Sequence, residues 1–265
     1  MSPHSYANKI LDSLRIRDPE DLKDLEAIAW QQGAVIRRAQ LTGTAARLSF
    51  GETRSIITVD RAQNRQRTRF SIAHELGHLA MHREKSSLSL CTSEDIQEVT
   101  SGSGKDVESE ANRFAASLLM PEALVRPHIR EEPPSFDVIK ALARNLRTSL
   151  TATAIRYVKF ASEPCAVVYS RDGKIRWFRG SDDFHRQKFF IHPKTPVDQF
   201  SLAGEFFEDG KEYTSREDVE AGSWLAEGRH SEDAMISEET VVMPNYNAAL
   251  SLIWINEDIL DGNYY

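Results

Sequence analysis

The stretch RFSIAHELGHLAMH, residues 69–82, decides how the rest of the chain is interpreted. Apolar residues occupy nearly every side of it, which predicts a buried helix over residues 67–82. His74 and His78 stand four positions apart, so both imidazoles lie on one helical face and can reach one ion at about 2.1 Å. The set of His74, Glu75 and His78 would be costly to bury unless something paired with it. A divalent metal ion pairs with all three, so the pattern predicts a metal site.

Glu75 lies between the two histidines and points beside the metal rather than at it. A carboxylate in that position can accept a proton from water that the metal activates, which makes Glu75 the expected general base of a hydrolase. The alternatives are that the motif arises by chance, or that the two histidines are core residues with ordinary hydrogen-bond partners. With 8 histidines in 265 residues, H-E-x-x-H arises by chance in roughly one or two such chains per hundred.

A catalytic zinc ion usually has three protein ligands and one open position, so a third ligand must be found. The residues after the motif offer a histidine, a cysteine and several carboxylates: His82, Cys91, Glu94, Asp95, Glu108 and Glu110. His82 lies about 12 Å along the helix axis from His74, which is too far to share one ion. A loop cysteine such as Cys91 remains open as a ligand or redox switch.

Glu108 and Asn112 are four positions apart on a second helix, predicted from residue 106 to Pro121. One of them can therefore bind the metal while the other hydrogen-bonds a ligating histidine or orients the glutamate. Glu110 is turned by about 200° from Glu108 on this helix, so both cannot face the metal. The alternative is that Glu108 is a solvated surface residue.

The remaining periodicities predict an α+β fold. Helices are expected at 6–14 and 19–32, and strands at 34–38, 46–50 and 55–59 form a small antiparallel sheet. Residues 83–105 are expected to form a surface loop. A zincin-like metallopeptidase domain would then span 1–160 and end in a helix-turn-helix-like segment at 121–160. A β-rich α+β domain of unknown role would follow at 161–265, with strands at 166–169 and 174–178 and a buried strand or helix at 250–255.

The stretch 69–82, followed by EANRFAASLLMP at 110–121, resembles the ImmA/IrrE metallopeptidases of bacteria and their mobile elements. The segment ITVD at 57–60 also fits, and the resemblance covers roughly residues 20–160. It implies that His74, His78 and Glu108 bind the metal and that Glu75 is the general base. Members typically cleave a DNA-binding repressor and so release transcription of stress-response or mobile-element genes, which implies a protein substrate of that kind.

Histidine and carboxylate ligands suit zinc best, although the same set accepts manganese or iron. A donor to the oxyanion that develops on the scissile carbonyl should lie opposite the metal. His128, Arg156 and Tyr157 are the candidates for that role, and the sequence does not choose among them. The two cysteines form no C-x-x-C pair and are expected to be free thiols.

Two functions of other classes compete with the peptidase. A DNA-binding regulator is suggested by ALARNLRTSLTATAIRYV at 141–158, which has the spacing and basic residues of a helix-turn-helix. The net charge of −7 argues against it. The other alternative is a sensor or partner protein with a non-catalytic metal site. The chain lacks a stretch of about 20 apolar residues and an apolar N-terminal core, so neither a membrane span nor a secretory signal is expected and the predicted location is the cytoplasm. No pattern indicates the oligomeric state.

Overall fold

The computed structural model describes residues 1–82, 89–91, 107–129, 134–226 and 233–255, with the backbone alone described at 89–91. The chain divides into two compact units. The first holds residues 1–125 and 143–149, and the second holds 126–142 and 150–265. Both helices and sheets are present in the chain, which confirms the predicted α+β class. None of the described helices has the length and apolar character needed to cross a membrane.

The first unit combines helices with a four-stranded sheet. Its elements are α1 (Pro3–Ser13), a 3-10 turn (Pro19–Leu22), α2 (Leu25–Gln31), β1 (Ala34–Ala39), β2 (Ala46–Ser49), β3 (Ser55–Asp60), α3 (Arg65–Met81), β4 (Ser89–Cys91), α4 (Val107–Leu119) and α5 (Glu122–Val125). The predicted surface loop lies mainly outside the described residues, with β4 the exception.

The helix expected over 19–32 is broken, so its predicted continuity was wrong. Asp18 accepts a hydrogen bond from the backbone N–H of Glu20 and caps the 3-10 turn, whereas Asp24 caps α2 separately by accepting from Ala27. The buried Arg69 donates to the carbonyl oxygens of Leu22 and Lys23 at 2.7 and 3.1 Å. Two caps and a guanidinium that binds the carbonyl groups at the break make separate elements favourable here.

The small sheet is mixed rather than wholly antiparallel. Its strand order is β1-β3-β2-β4. Strand β2 pairs antiparallel with β3 and β4, but β1 pairs parallel with β3. The expectation of an antiparallel sheet was therefore wrong for β1. Strand β3 inserts between β1 and β2 and so lies beside a strand that runs in its own direction.

Helices α3 and α4 lie close together at Gly77. A Cβ atom at this position would lie 3.0 Å from Cδ1 of Phe114 and 3.2 Å from Cα of Ala111. A side chain at this position would require Phe114 or Ala111 to shift by a few tenths of an ångström, so glycine suits this approach of the two helices. The close contact brings the first turn of α4, which carries Glu108, towards the histidine face of α3.

The second unit is built around a five-stranded sheet. Its elements are a 3-10 turn (Arg126–His128), α6 (Phe136–Leu146, counted with the first unit from residue 143), α7 (Leu150–Phe160), β5 (Cys165–Arg171), β6 (Lys174–Gly180), α8 (Asp182–Arg186), α9 (Leu202–Asp209), β7 (Glu217–Glu220), a 3-10 turn (Ala221–Ser223), β8 (Met235–Met243), a 3-10 turn (Pro244–Tyr246) and β9 (Ala248–Trp254).

This sheet is antiparallel in the order β6-β5-β9-β8-β7, and apolar clusters cover both faces. Ala166 and Val168 face a cluster that includes residues of α8 and α9. Cys165 and Val167 alternate with them and face a cluster that includes residues of α6 and α7. The segment expected to be a buried strand or helix at 250–255 forms most of the central strand β9. The domain boundary expected near residue 161 stays a prediction.

Candidate metal centre

Three side chains converge between α3 and α4. The Nε2 atoms of His74 and His78 lie 3.0 Å apart. Glu108 places Oε2 at 3.1 Å from Nε2 of His74 and Oε1 at 3.4 Å from Nε2 of His78. Both histidines are buried, and the side chain of Glu108 is 26% exposed. Two nitrogen donors and a carboxylate are thus held within reach of one another, with one partly open side.

The donor set and its spacing fit a metal ion. Two atoms that each lie about 2.1 Å from one tetrahedral ion are about 3.4 Å apart, close to the separations observed here. Among the described residues, His74, His78 and Glu108 form the group whose ligand atoms lie within 4.8 Å of one another. Histidine nitrogens with one carboxylate suit zinc, and they also accept manganese or iron.

Each histidine makes a second contact through its other ring nitrogen. Nδ1 of His74 lies 2.8 Å from Oδ1 of the buried Asn112. Nδ1 of His78 lies 3.1 Å from Nδ1 of His82, and Nε2 of His82 lies 3.0 Å from Oε2 of Glu110. Asn112 was the residue expected to support a ligand. His82 and Glu110 were considered only as ligands, so their supporting contacts were missed, although the i, i+4 series His74, His78, His82 was the available signal.

The carboxylate of Glu108 is subject to opposing effects. Burial raises its pKa, but the hydrogen bonds and charges of His74 and His78 outweigh burial and hold the pKa well below the ordinary value of 4.5. Glu108 is therefore ionised over the whole neutral range. An anionic oxygen beside two imidazoles is the form that a divalent cation binds.

About half of the chain matches a known protein family. Residues 29–157 match the peptidase M78 family, described as an IrrE N-terminal-like domain. A stretch of 124 residues is 27% identical to the radiation response metalloprotease IrrE of Deinococcus radiodurans, and it covers 46% of this chain but 36% of that protein. The match therefore spans about a third of that relative's length.

Residues 29–157 belong to this metallopeptidase family. The IrrE-like region contains α3 and α4, and so includes the three converging side chains and their supporting contacts. The assignment confirms the resemblance that the two motifs carried, and a metal ion is what the family implies for this cluster.

Most of the chain also resembles a solved structure in its fold. A Mycobacterium tuberculosis transcriptional regulator superposes with a TM-score of 0.57, covering 96% of this chain and 76% of that one at 15% identity. At this identity the likeness concerns the fold alone.

The other predicted site residues fall in different places. Glu75 is fully buried on α3 of the IrrE-like region. Cys91 ends β4, where only the backbone is described, and Glu94 and Asp95 lie outside the described residues. The second cysteine, Cys165, is a buried free thiol whose pKa burial raises to about 12, so it is unreactive at neutral pH.

The three candidate donors to the developing oxyanion all belong to the second unit. His128 is exposed in a 3-10 turn, whereas Tyr157 is buried in the core between α7 and the sheet. Arg156 is 6% exposed and stacks over the ring of Phe160, with 4.4 Å between its Cζ atom and the ring centroid. A guanidinium buried in this way is a poor phosphate contact, which weakens the helix-turn-helix interpretation.

Proposed function

We propose that this protein is a zinc-dependent endopeptidase that cleaves a specific DNA-binding repressor and so controls stress-response or mobile-element genes. The observation that carries the proposal is the convergence of His74, His78 and Glu108 at separations of 3.0–3.4 Å. Two imidazoles and one carboxylate leave room for a fourth partner, which is the arrangement of hydrolytic rather than structural zinc sites. Because a repressor works on DNA, the proposed place of action is the cytoplasm.

His74, His78 and Glu108 would hold the ion, and Asn112 orients the ring of His74. A zinc ion bound by these residues would supply Lewis acidity for activating water and the scissile carbonyl. Glu75 is the general base that takes the proton from the attacking water and delivers it to the leaving nitrogen. Its position next to His74, on the same buried helix, supports this role.

The choice of substrate rests on the family. Its relative in Deinococcus radiodurans is named a radiation response metalloprotease, and ImmA/IrrE peptidases typically act on repressors. We therefore expect one folded regulator to be cut at one site rather than bulk peptide to be degraded.

The test combines metal analysis with cleavage. Purified wild type is loaded with zinc and incubated with DNA-binding repressors encoded near its gene, and the products are identified by intact mass spectrometry. Glu75→Gln should hold as much zinc as wild type and lose cleavage by roughly a hundredfold or more, since general bases contribute about 10²- to 10⁴-fold. Glu52→Gln, at an exposed position in the same unit, is the matched control and should cleave normally.

His74→Ala completes the experiment, because it removes a ligand rather than the base. It should lose both zinc and cleavage. Equal zinc content in His74→Ala and wild type would contradict the metal site. Undiminished cleavage by Glu75→Gln would contradict the mechanism. Zinc binding in wild type without cleavage of any repressor would favour a sensor or partner protein.

A further inference from the structure

A chain of three side chains leads away from the metal centre at the end of α3. His82 is 1% exposed and follows the last turn of the helix as its C-cap. Its Nδ1 lies 3.1 Å from Nδ1 of His78, and its Nε2 lies 3.0 Å from Oε2 of Glu110. Glu110 is partly exposed, with 31% of its side-chain surface accessible. Glu110, His82 and His78 thus form a continuous path of hydrogen bonds.

The direction of these hydrogen bonds follows from what each group can donate. An ionised carboxylate only accepts, so Nε2 of His82 carries the hydrogen and donates to Glu110. In the neutral ring Nδ1 of His82 is then an acceptor, so Nδ1 of His78 must donate to it. In the metal-bound state the remaining nitrogen of His78, Nε2, therefore has no hydrogen and presents its lone pair. That atom is the one that faces Glu108 and His74.

The other ligand is prepared in the same way by different chemistry. Nδ1 of His74 donates to the amide oxygen of Asn112, so Nε2 of His74 is likewise the nitrogen without hydrogen when an ion is bound. Two neighbouring histidines are therefore set in the same tautomer by two acceptors from different residue types. Without an acceptor at Nδ1, a neutral imidazole exchanges between tautomers and its ring can turn away from the ion.

We propose that His82 and Glu110 are positioning residues of the metal centre, which fix the tautomer and ring orientation of His78 without touching the ion. This inference rests on the metal site of the proposed function. His82 lies too far along the helix to be a ligand itself. Its Nδ1 nevertheless lies beside Nδ1 of His78, where it can accept a hydrogen bond.

The test compares a variant that removes the acceptor for Nδ1 of His78 with a variant that restores one. His82→Leu removes the acceptor for Nδ1 of His78, whereas His82→Asn puts an amide oxygen at nearly the same place. The affinity for zinc is measured by competition with a chromogenic chelator, and the ligand field by the visible spectrum of the cobalt-loaded protein. His82→Leu should weaken zinc binding roughly 10- to 100-fold and alter the cobalt spectrum. His82→Asn should recover most of that loss, and His185→Leu, at an exposed histidine, should match wild type.

A second pair of variants keeps the inference testable if His82→Leu does not fold. Glu110→Ala removes the acceptor for Nε2 of His82 at a partly exposed position, and Glu110→Gln keeps one. Glu110→Ala should weaken zinc binding several-fold more than Glu110→Gln, with thermal unfolding showing that both are folded.

The possible failures are distinct. Wild-type affinity in His82→Leu, or equal weakness in folded His82→Leu and His82→Asn, would overturn the positioning role. In both cases wild type binds zinc and His74→Ala does not. If wild type and His74→Ala hold equal zinc, the proposed metal site itself is wrong.

Discussion

Asn112 shows how much a single buried amide can determine at the metal centre. It is 2% exposed, and its oxygen accepts from Nδ1 of His74 at 2.8 Å. The spacing of four from Glu108 on one helix predicted that a ligand and its support would lie on the same face. The spacing left open which of the two would face the ion, and the contact of Asn112 with His74 favours Glu108 as the proposed ligand.

Replacing Asn112 should weaken the metal site without removing a ligand. Asn112→Leu leaves Nδ1 of His74 without an acceptor, so zinc affinity should fall roughly 10- to 100-fold in a chelator competition. Asn112→Asp keeps an acceptor and should stay close to wild type. The exposed Asn145→Leu is the control. Unchanged affinity in Asn112→Leu would show that the ring of His74 is held by other contacts.

At the level of secondary-structure elements, Gly77 lies where α3 and α4 pack closely together. In Gly77→Ala the new methyl group would lie 3.0 Å from Phe114 and 3.2 Å from Ala111, both fully buried. Alanine favours the helix by about 1 kcal/mol over glycine, but overpacking costs about 1–3 kcal/mol. We therefore expect a lower thermal unfolding temperature and weaker zinc binding, since Glu108 moves away from the histidines.

A second substitution tests the cause. Phe114→Leu removes ring atoms that the new methyl group of Gly77→Ala would meet. The double variant should therefore lose less stability than the sum of the losses in the two single variants. Additive effects in the thermal unfolding series would show that the two positions do not press on each other.

In the second unit, the buried Glu238 joins α9 to the sheet. Five donors surround its carboxylate at 2.7–3.2 Å: the backbone N–H groups of Leu202 and Ala203, the indole of Trp224, and the hydroxyl groups of Thr240 and Ser251. All five donors find an acceptor only if both oxygens of the side chain accept hydrogen bonds.

Glu238→Gln should therefore destabilise the second unit. In glutamine an NH₂ group replaces one of the two accepting oxygens, so the donors that pointed at that oxygen lose their acceptor. Each buried donor that loses its acceptor costs about 1–3 kcal/mol. A fall of several degrees in the thermal unfolding temperature is expected, while Glu220→Gln, at an exposed position on β7, should behave as wild type. Equal stability of the two variants would mean that the network rearranges around the amide.

On the scale of the whole molecule, the proposed metal centre lies within one of the two compact units. The proposed ligands and their supporting residues all fall within residues 1–125. A ligand that binds only the folded state stabilises it by about 2.7 kcal/mol at a concentration of 100 times Kd. That stabilisation should be local where units unfold separately.

Hydrogen exchange followed by mass spectrometry measures this directly. Adding zinc to chelator-treated protein should slow exchange in peptides from α3 and α4, and leave those from β5 and β9 unchanged. His74→Ala should show no response. Slowing that spreads equally into the five-stranded sheet would show that the two units unfold as one.

Much of the metal centre follows from local spacing. Residues four apart on a helix share a face whatever surrounds them, so the sequence alone placed His74 with His78 and Glu108 with Asn112. The hairpin turn near 171–173 is local in the same sense, because Asp172 and Gly173 have the positive φ angles of 54° and 69° that a tight turn between two strands requires.

The remaining features depend on contacts between residues far apart in the chain. The insertion of β3 between β1 and β2 is one, and the meeting of His82 with Glu110, 28 positions later, is another. No periodicity in the sequence reveals either feature. The strand order depends on which edge of a strand is still open for pairing, and the contact of His82 with Glu110 depends on how closely α3 and α4 pack at Gly77. Those distances are set by the packing of the assembled unit, which no single stretch of sequence contains.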